Sequence, residues 1–148
     1  MFNLYKNTIF LADTALKYHG LAVITANNPK GVTRSQQFNR WLDCHLLTYL
    51  RVHKMPCSWV FAGAIDLNHY EFSAVVECSL IDAQYVAKVF KQRAFYWLDG
   101  DCYLYDSNDI SRAYSCLGNT ASRWFDNPQG YQQMIKEYQN ARFIAGIM

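Results

Sequence analysis

The sequence lacks several features that assign a protein to a class at once. No two of its five cysteines form a Cys-x-x-Cys pair, and an odd count fits a complete disulfide framework poorly. We therefore expect reduced thiols and a cytoplasmic protein. No stretch approaches the roughly 20 apolar residues of a membrane helix, and residues 1–6 do not resemble the start of a signal peptide. The sequence thus predicts no membrane contact.

A strong charge of one sign is also missing. Lysine and arginine together number 14 against 12 acidic residues, a net charge of +2 that is too small to predict a polyanionic partner. Lys88, Lys91 and Arg93 precede the aromatic pair Tyr96 and Trp97, an arrangement that a nucleic-acid-binding surface could use. Because several aspartates follow directly and oppose phosphate, nucleic-acid binding is the second alternative function rather than the first.

Motifs for catalysis, cofactors and metals are absent as well. The chain has no Gly-x-Ser-x-Gly segment, no glycine-rich phosphate loop and no Rossmann fingerprint. His19, His45 and His53 are scattered, without a recognised metal-ligand spacing. The sequence therefore predicts no cofactor and no metal site.

What the chain does contain is apolar material for a core. Hydrophobic residues make up 51% of its 148 residues, which suits one domain that buries most of its unfolded surface. The pattern predicts a core at about 21–105, followed by a helical C-terminal extension at 107–148.

Periodicity and turn chemistry predict the elements of this core. Thr33 with Gln36 forms a capping box that opens a helix to about His53, and Ser79 with Asp82 opens a second helix to about Lys91. The strands are predicted at 21–26, 58–65, 70–77, 94–98 and 102–105, the last two joined by the hairpin dipeptide Asp99-Gly100. The apolar stripe of the first helix consists of Phe38, Trp41, Leu42, His45, Leu46, Tyr49 and Leu50.

Three further helices are predicted outside this set. A short one extends from Asp13 or Thr14 to Tyr18, a second covers about 110–116, and a terminal one begins at Asn127-Pro128. The order strand, helix, strand, strand, helix, strand is that of the ferredoxin-like (split βαβ) two-layer sandwich. We expect this α+β fold with an extra hairpin strand and C-terminal helices. The alternative is a three-layer mixed sheet.

The first candidate site follows the first predicted strand. Thr25, Asn27 and Asn28 offer donors and acceptors at a strand end, where they could hold a polar ligand. The alternative is a structural turn, in which the asparagines satisfy their own backbone and Pro29 fixes the corner.

The second candidate site is the segment Asp66–Glu71. His69 and Glu71 are two residues apart, so on one strand they face the same side and could transfer protons in a desolvated pocket. The alternative is a solvated hairpin turn.

The segment ITANNP, the strand residues Glu71-Phe72-Ser73 and the run FKQRAF at 90–95 resemble a family of small bacterial proteins known only as a domain of unknown function. The resemblance covers about 21–105 and is closest at Thr25, Ala26, Asn28 and Pro29. Asn27 stands where the family has an aromatic residue, and Lys91 where it has glycine. The resemblance implies no activity, but it singles out Thr25, Asn28, Glu71 and Gln92 as a convergent polar set.

These observations predict a binding or regulatory module that engages a small polar ligand or a protein partner. Thr25, Asn27, Asn28, Glu71 and Gln92 are the predicted ligand-binding residues. The 11 tyrosines and four tryptophans suit a protein interface, and a homodimer through a sheet face belongs to the same class. The alternative is an enzyme, a hydrolase or transferase, with Glu71 or His69 as its general base.

Overall fold

The computed structural model describes residues 3–16, 20–64 and 69–147. Its strands and helices are β1 (Ile9–Ala12), β2 (Leu21–Thr25), α1 (Gln36–Val52), β3 (Cys57–Gly63), β4 (Tyr70–Glu77), α2 (Leu80–Val89), β5 (Ala94–Asp99), β6 (Asp101–Asp106), β7 (Ser115–Asn119), β8 (Trp124–Asp126) and α3 (Pro128–Ile147). None of the helices in these ranges is long and apolar enough to cross a bilayer.

The eight strands form one mixed sheet in the order β7-β6-β5-β2-β4-β3-β1-β8. Neighbouring strands are antiparallel, except that β1 and β8 run parallel. The sheet is curled into a half-barrel. On a flat sheet, four strand spacings would separate β5 from β1 by about 19 Å. The rings of Tyr96 on β5 and Phe10 on β1 nevertheless meet edge to face, with centroids 5.1 Å apart, so the face that carries them is concave.

Both faces of the middle strands are buried, each in a different cluster. On β2, Leu21 and Val23 point into the concave face, where the core also contains residues from β1, β3, β4, β5, β6 and β8. Ala22 and Ile24 point to the convex face and pack with apolar residues of α1 and α2. The helix α3 covers a third cluster, formed around Phe61 and other residues of β1, β3 and β4.

The predicted two-layer ferredoxin-like sandwich is therefore wrong. The sheet has eight strands in place of five, because β1 was not predicted and the segment after Asp106 supplies β7 and β8 before the helix α3. A sandwich leaves one sheet face open to solvent or to added helices. Here that face buries itself by curling, and the short outer strands complete its core.

Several local predictions are confirmed. Ser79 caps α2, with its hydroxyl accepting from the Asp82 N–H, and the Asp99-Gly100 hairpin joins β5 to β6. Asn127 caps α3, since its side-chain oxygen accepts from the Gly130 N–H.

Other local predictions are wrong. The side-chain cap of α1 is Ser35 and not Thr33, and residues 110–116 form no helix. Residues 13–16 are not helical either, and the rest of that predicted helix lies outside the described residues.

Replacement of Leu46 by alanine tests the convex-face core. Leu46 is fully buried on α1, so Leu46→Ala should lower the free energy of unfolding by about 2–5 kcal/mol. Val52, 70% exposed on the same helix, is the matched control, and Val52→Ala should change that free energy by less than about 0.5 kcal/mol. Urea denaturation followed by circular dichroism measures both. Equal effects of the two substitutions would contradict the assignment of α1's buried face.

Candidate functional site

A cavity of about 920 Å³ lies on the concave face near the end of β2. This size falls within the range of small-molecule sites. We call it the concave-face cavity, and its wall includes Tyr5, Val23, Thr25, Asn27, Asn28, Arg34, Asn39, Arg40, Ala62, His69, Tyr70, Glu71, Ser73, Gln92, Ala94 and Tyr96. Its lining combines apolar residues of the concave core with polar side chains.

All five predicted ligand-binding residues lie in this wall. Thr25 pairs with Ser73 in the β2–β4 ladder, so the polar end of β2 stands beside the start of β4, where Glu71 lies. Gln92 lies in the connection between α2 and β5. The structure thus brings together side chains from three distant segments. Their role in ligand binding stays a prediction.

Thr25 fixes the chain as β2 ends. Its hydroxyl donates to the Phe72 carbonyl at 3.1 Å and accepts from the Asn27 N–H at 3.0 Å. A threonine hydroxyl has one hydrogen to donate, and this one is used within the wall. Thr25 therefore positions the asparagines that follow.

Asn28 joins three elements through its amide. Its backbone has φ +51°, a left-handed conformation that asparagine tolerates better than most residues. The Asn28 side-chain amide donates to Glu71 Oε2 at 2.9 Å, while its oxygen accepts from the Arg34 N–H and from the Asn39 amide. In return Asn39 Oδ1 accepts from the Asn28 N–H at 2.9 Å. The end of β2, the first turn of α1 and β4 are thereby tied together.

Gln92 closes the other side of this corner. Its amide nitrogen donates to the carbonyl oxygens of Asn27 at 3.1 Å and Phe90 at 3.2 Å. A backbone bond from the Lys30 N–H to the Lys91 carbonyl, 2.7 Å, runs between the same two loops. The two loops are therefore held in register beside the cavity.

Glu71 is the acidic residue of the cavity wall. Burial raises the pKa of Glu71 from 4.5 to about 7, the hydrogen bond from Asn28 lowers it in part, and the negative charge of Asp43 raises it further. Near neutral pH its carboxyl is therefore divided between the protonated and ionised forms. Such a group can accept from a ligand, donate to one, or exchange a proton with it.

The sequence analysis missed the polar residues of α1. Asn39, Arg40 and Asp43 are buried, whereas Phe38 and Trp41 of the predicted stripe are 40% and 56% exposed. His45 of the stripe is exposed as well, so the stripe is wrong at these three positions. The signal that could have found these residues is their i, i+3/4 spacing with buried Leu46 and Leu50, which places them on one helix face.

Arg40 and Asp43 form a buried ion pair below the turn that contains Asn27 and Asn28, which we call the asparagine corner. Arg40 Nη1 lies 3.2 Å from Asp43 Oδ2, and the Arg40 guanidinium lies over the Tyr138 ring at 4.0 Å. Asp43 also accepts from the Asn27 amide at 2.6 Å and from the Tyr138 hydroxyl at 3.1 Å. Burial raises the pKa of Asp43 to about 6, against the lowering effect of Arg40 and these hydrogen bonds. The pair anchors both α1 and α3 to the site.

His69 lies in the wall of the same cavity as Glu71. The remainder of the predicted Asp66–Glu71 site, residues 66–68, lies outside the described residues. Within 3–16, 20–64 and 69–147, no three His, Cys, Asp or Glu side chains are grouped so that they could hold a metal ion.

Two replacements of Asn28 test the asparagine corner. Both Asn28→Gly and Asn28→Ala remove the amide that holds Glu71, which should cost about 1–3 kcal/mol of unfolding free energy. Because the backbone is left-handed there, Asn28→Ala should be less stable than Asn28→Gly by a further amount of about 1 kcal/mol. Thermal and urea unfolding of the two variants measure the difference, and an alanine variant as stable as the glycine variant would contradict the left-handed corner.

The raised pKa of Glu71 predicts how stability depends on pH. The folded state holds the Glu71 proton up to about pH 7, whereas the unfolded chain loses it near 4.5. Stability should therefore fall as pH rises from 4.5 to 7, because ionisation favours the unfolded state in that window. Glu71→Gln, which keeps an acceptor for Asn28, should be more stable than the wild type at pH 8 by about 1–3 kcal/mol, and this advantage should vanish towards pH 4.

Glu77→Gln is the matched control, since Glu77 is exposed at the other end of β4. Urea denaturation of the wild type and both variants over this pH range gives the comparison. A Glu71→Gln advantage that is constant with pH would show that the carboxyl titrates alike in the folded and unfolded chain.

Comparison with protein families gives a match over the middle of the chain. Residues 24–95 match the family model DUF3293, described as a protein of unknown function. A search of curated proteins found no match, and neither did a search of solved structures. The matched segment lies within the predicted range of 21–105 and contains Thr25, Asn28, Glu71 and Gln92, so the resemblance to an uncharacterised domain family is confirmed. The chain carries a DUF3293 domain of unknown function at residues 24–95.

Proposed function

We propose that this chain is a binding module for a small polar molecule, which occupies the concave-face cavity. The observation that carries the proposal is the convergence of Thr25, Asn27, Asn28, Glu71 and Gln92 on one cavity large enough for such a ligand. Apolar lining residues with a few fixed polar groups are the usual composition of a small-molecule site.

The hydrogen bonds of the wall alone would also suit a purely structural corner. The asparagines bond to one another and to Glu71, as they would in a turn that satisfies itself. A structural corner does not require a half-buried carboxyl beside an open volume, however. Burial of Glu71 disfavours its ionised form, and such a cost is commonest at sites that bind or react.

An enzyme is the second candidate, because Glu71 combines a cavity position with a pKa of about 7. A general base works best when its pKa lies near the working pH. In this alternative Glu71 takes a proton from a bound substrate, while the asparagine corner holds the carboxyl in place. A compound that the wild type converts and that Glu71→Gln binds without conversion would favour the enzyme.

The other expectations from the sequence stay predictions. These are a protein partner or regulatory role, a homodimer through a sheet face, and a cytoplasmic location. Nucleic-acid binding stays the second alternative.

An unbiased ligand screen tests the proposal. Mixtures of small polar metabolites are added to isotope-labelled protein, and amide chemical shifts are followed by NMR. We expect at least one compound to shift amides that cluster around the cavity, such as those of Thr25, Asn28, Glu71 and Gln92. Glu71→Gln should weaken that compound's binding by about fivefold or more, whereas Glu77→Gln should leave it unchanged. No binding, or shifts that cluster away from the cavity, would overturn the proposal.

A further inference from the structure

The N–H donors of the cavity wall are mostly used inside the wall. The Asn27 amide donates to Asp43 and to the Asn39 carbonyl. The Gln92 amide donates to two carbonyl oxygens. Since a primary amide has two hydrogens, neither side chain retains a donor for a ligand.

The acceptors of the same side chains remain available. Among the described residues, no hydrogen bond reaches Glu71 Oε1, Asn27 Oδ1 or Gln92 Oε1, although Asn28 donates to the other Glu71 oxygen. The wall residues predicted to contact a ligand therefore present these three oxygen acceptors and one remaining donor, the second amide hydrogen of Asn28, whose first is donated to Glu71. A complementary ligand should therefore present mainly N–H or O–H donors.

The charges around the cavity favour a positive donor. Glu71 is the sole acidic side chain among the described residues that line it. Of the basic residues, Arg40 is neutralised by Asp43 at 3.2 Å. Arg34 is exposed, with its guanidinium over the Phe38 ring at 5.7 Å. Within the described chain, no hydrogen bond or ion pair joins Glu71 to an arginine or a histidine, so that carboxylate is left without a cationic partner.

Tyrosine rings complete the surroundings of Glu71. Tyr5 and Tyr96 line the cavity, and both lie near enough for the Glu71 charge to raise the pKa of each phenol. The ring of Tyr70, by contrast, packs edge to face on Phe61 in the third cluster. Aromatic rings attract cations through their faces. A carboxylate beside such rings is a common way to bind an organic cation.

We propose that the ligand is a small organic cation, with an ammonium or guanidinium group that donates hydrogen bonds to the Glu71 carboxylate in the concave-face cavity. This inference rests on the proposed binding function and specifies its ligand class. The competing ligand is an anion, which Arg40 Nε could bind, since that buried N–H has no partner among the described residues.

The sign of proton exchange on binding distinguishes a cationic ligand from an anionic one. A cation favours ionised Glu71 and expels its proton, whereas an anion favours the protonated form and takes a proton up. The other titratable or charged groups that face this region are Tyr5, His69, Tyr96, Asp43, Arg34, Arg40 and Arg93. A variant of Glu71 is therefore needed to assign the exchanged proton to this residue.

Calorimetry at pH 7 in two buffers of different ionisation heat gives the proton count. The probes are tyramine, an aromatic amine, and agmatine, which carries a guanidinium group. N-acetyltyramine is the neutral control and 4-hydroxyphenylacetate the anionic one. We expect at least one cation to bind with release of about half a proton per ligand, and more tightly than N-acetyltyramine by about tenfold.

Glu71→Gln should abolish the proton release and reduce the cation's affinity by about tenfold or more. Glu77→Gln should retain both, and circular dichroism shows whether each variant is folded. The inference is overturned if neither cation binds below about 10 mM, if the neutral control binds equally well, or if proton release persists in Glu71→Gln. Binding of 4-hydroxyphenylacetate with proton uptake would overturn it as well, yet would leave the proposed binding function intact. That function fails only if the metabolite screen also finds no ligand in the cavity.

Discussion

Burial of both faces of β2 is the constraint on which the rest of the structure depends. Its four apolar residues alternate between the concave and convex cores, so neither face of the middle sheet can be left to water. The helices α1 and α2 cover the convex face of β2, and the concave face closes by curling until Tyr96 meets Phe10. The curl also creates the cavity, because the residues beyond the apolar part of β2 are polar and do not fill the space between the strands.

Neutral amides suit the corner at the end of β2. Two carboxyl groups with raised pKa values, those of Glu71 and Asp43, lie on either side of it. The asparagines between them donate and accept hydrogen bonds without adding charge. Arginine or lysine at these positions would pair with the carboxylates and hold them ionised. The amides instead leave Glu71 able to change its protonation state with its surroundings.

The sequence could predict the elements better than their arrangement. The alternation of β4 is clear, and it correctly puts Phe72 and Glu71 on opposite faces. Whether the face with Glu71 meets solvent or a cavity depends on the curl, and the short outer strands that complete the concave core have no strong pattern of their own. The apolar periodicity of α1 predicted the wrong buried residues for a related reason. Apolar Phe38 and Trp41 are exposed, while Arg40 and Asp43 are buried because they neutralise each other beneath the asparagine corner. Apolar periodicity cannot predict the burial of a charged residue when that burial depends on a partner side chain.

The boundaries of the family match have a consequence for how the domain is handled. The matched segment begins at Ile24, inside β2, and ends at Phe95, inside β5. A fragment cut there would cleave two central strands and omit Phe10 and Tyr96, whose rings close the curl. It would also lose Tyr138, the phenol that supports Asp43 from α3. The recurrent stretch is thus a segment of sequence rather than an autonomous folding unit, and its expression alone would yield a chain without β1, β6, β7, β8 and α3.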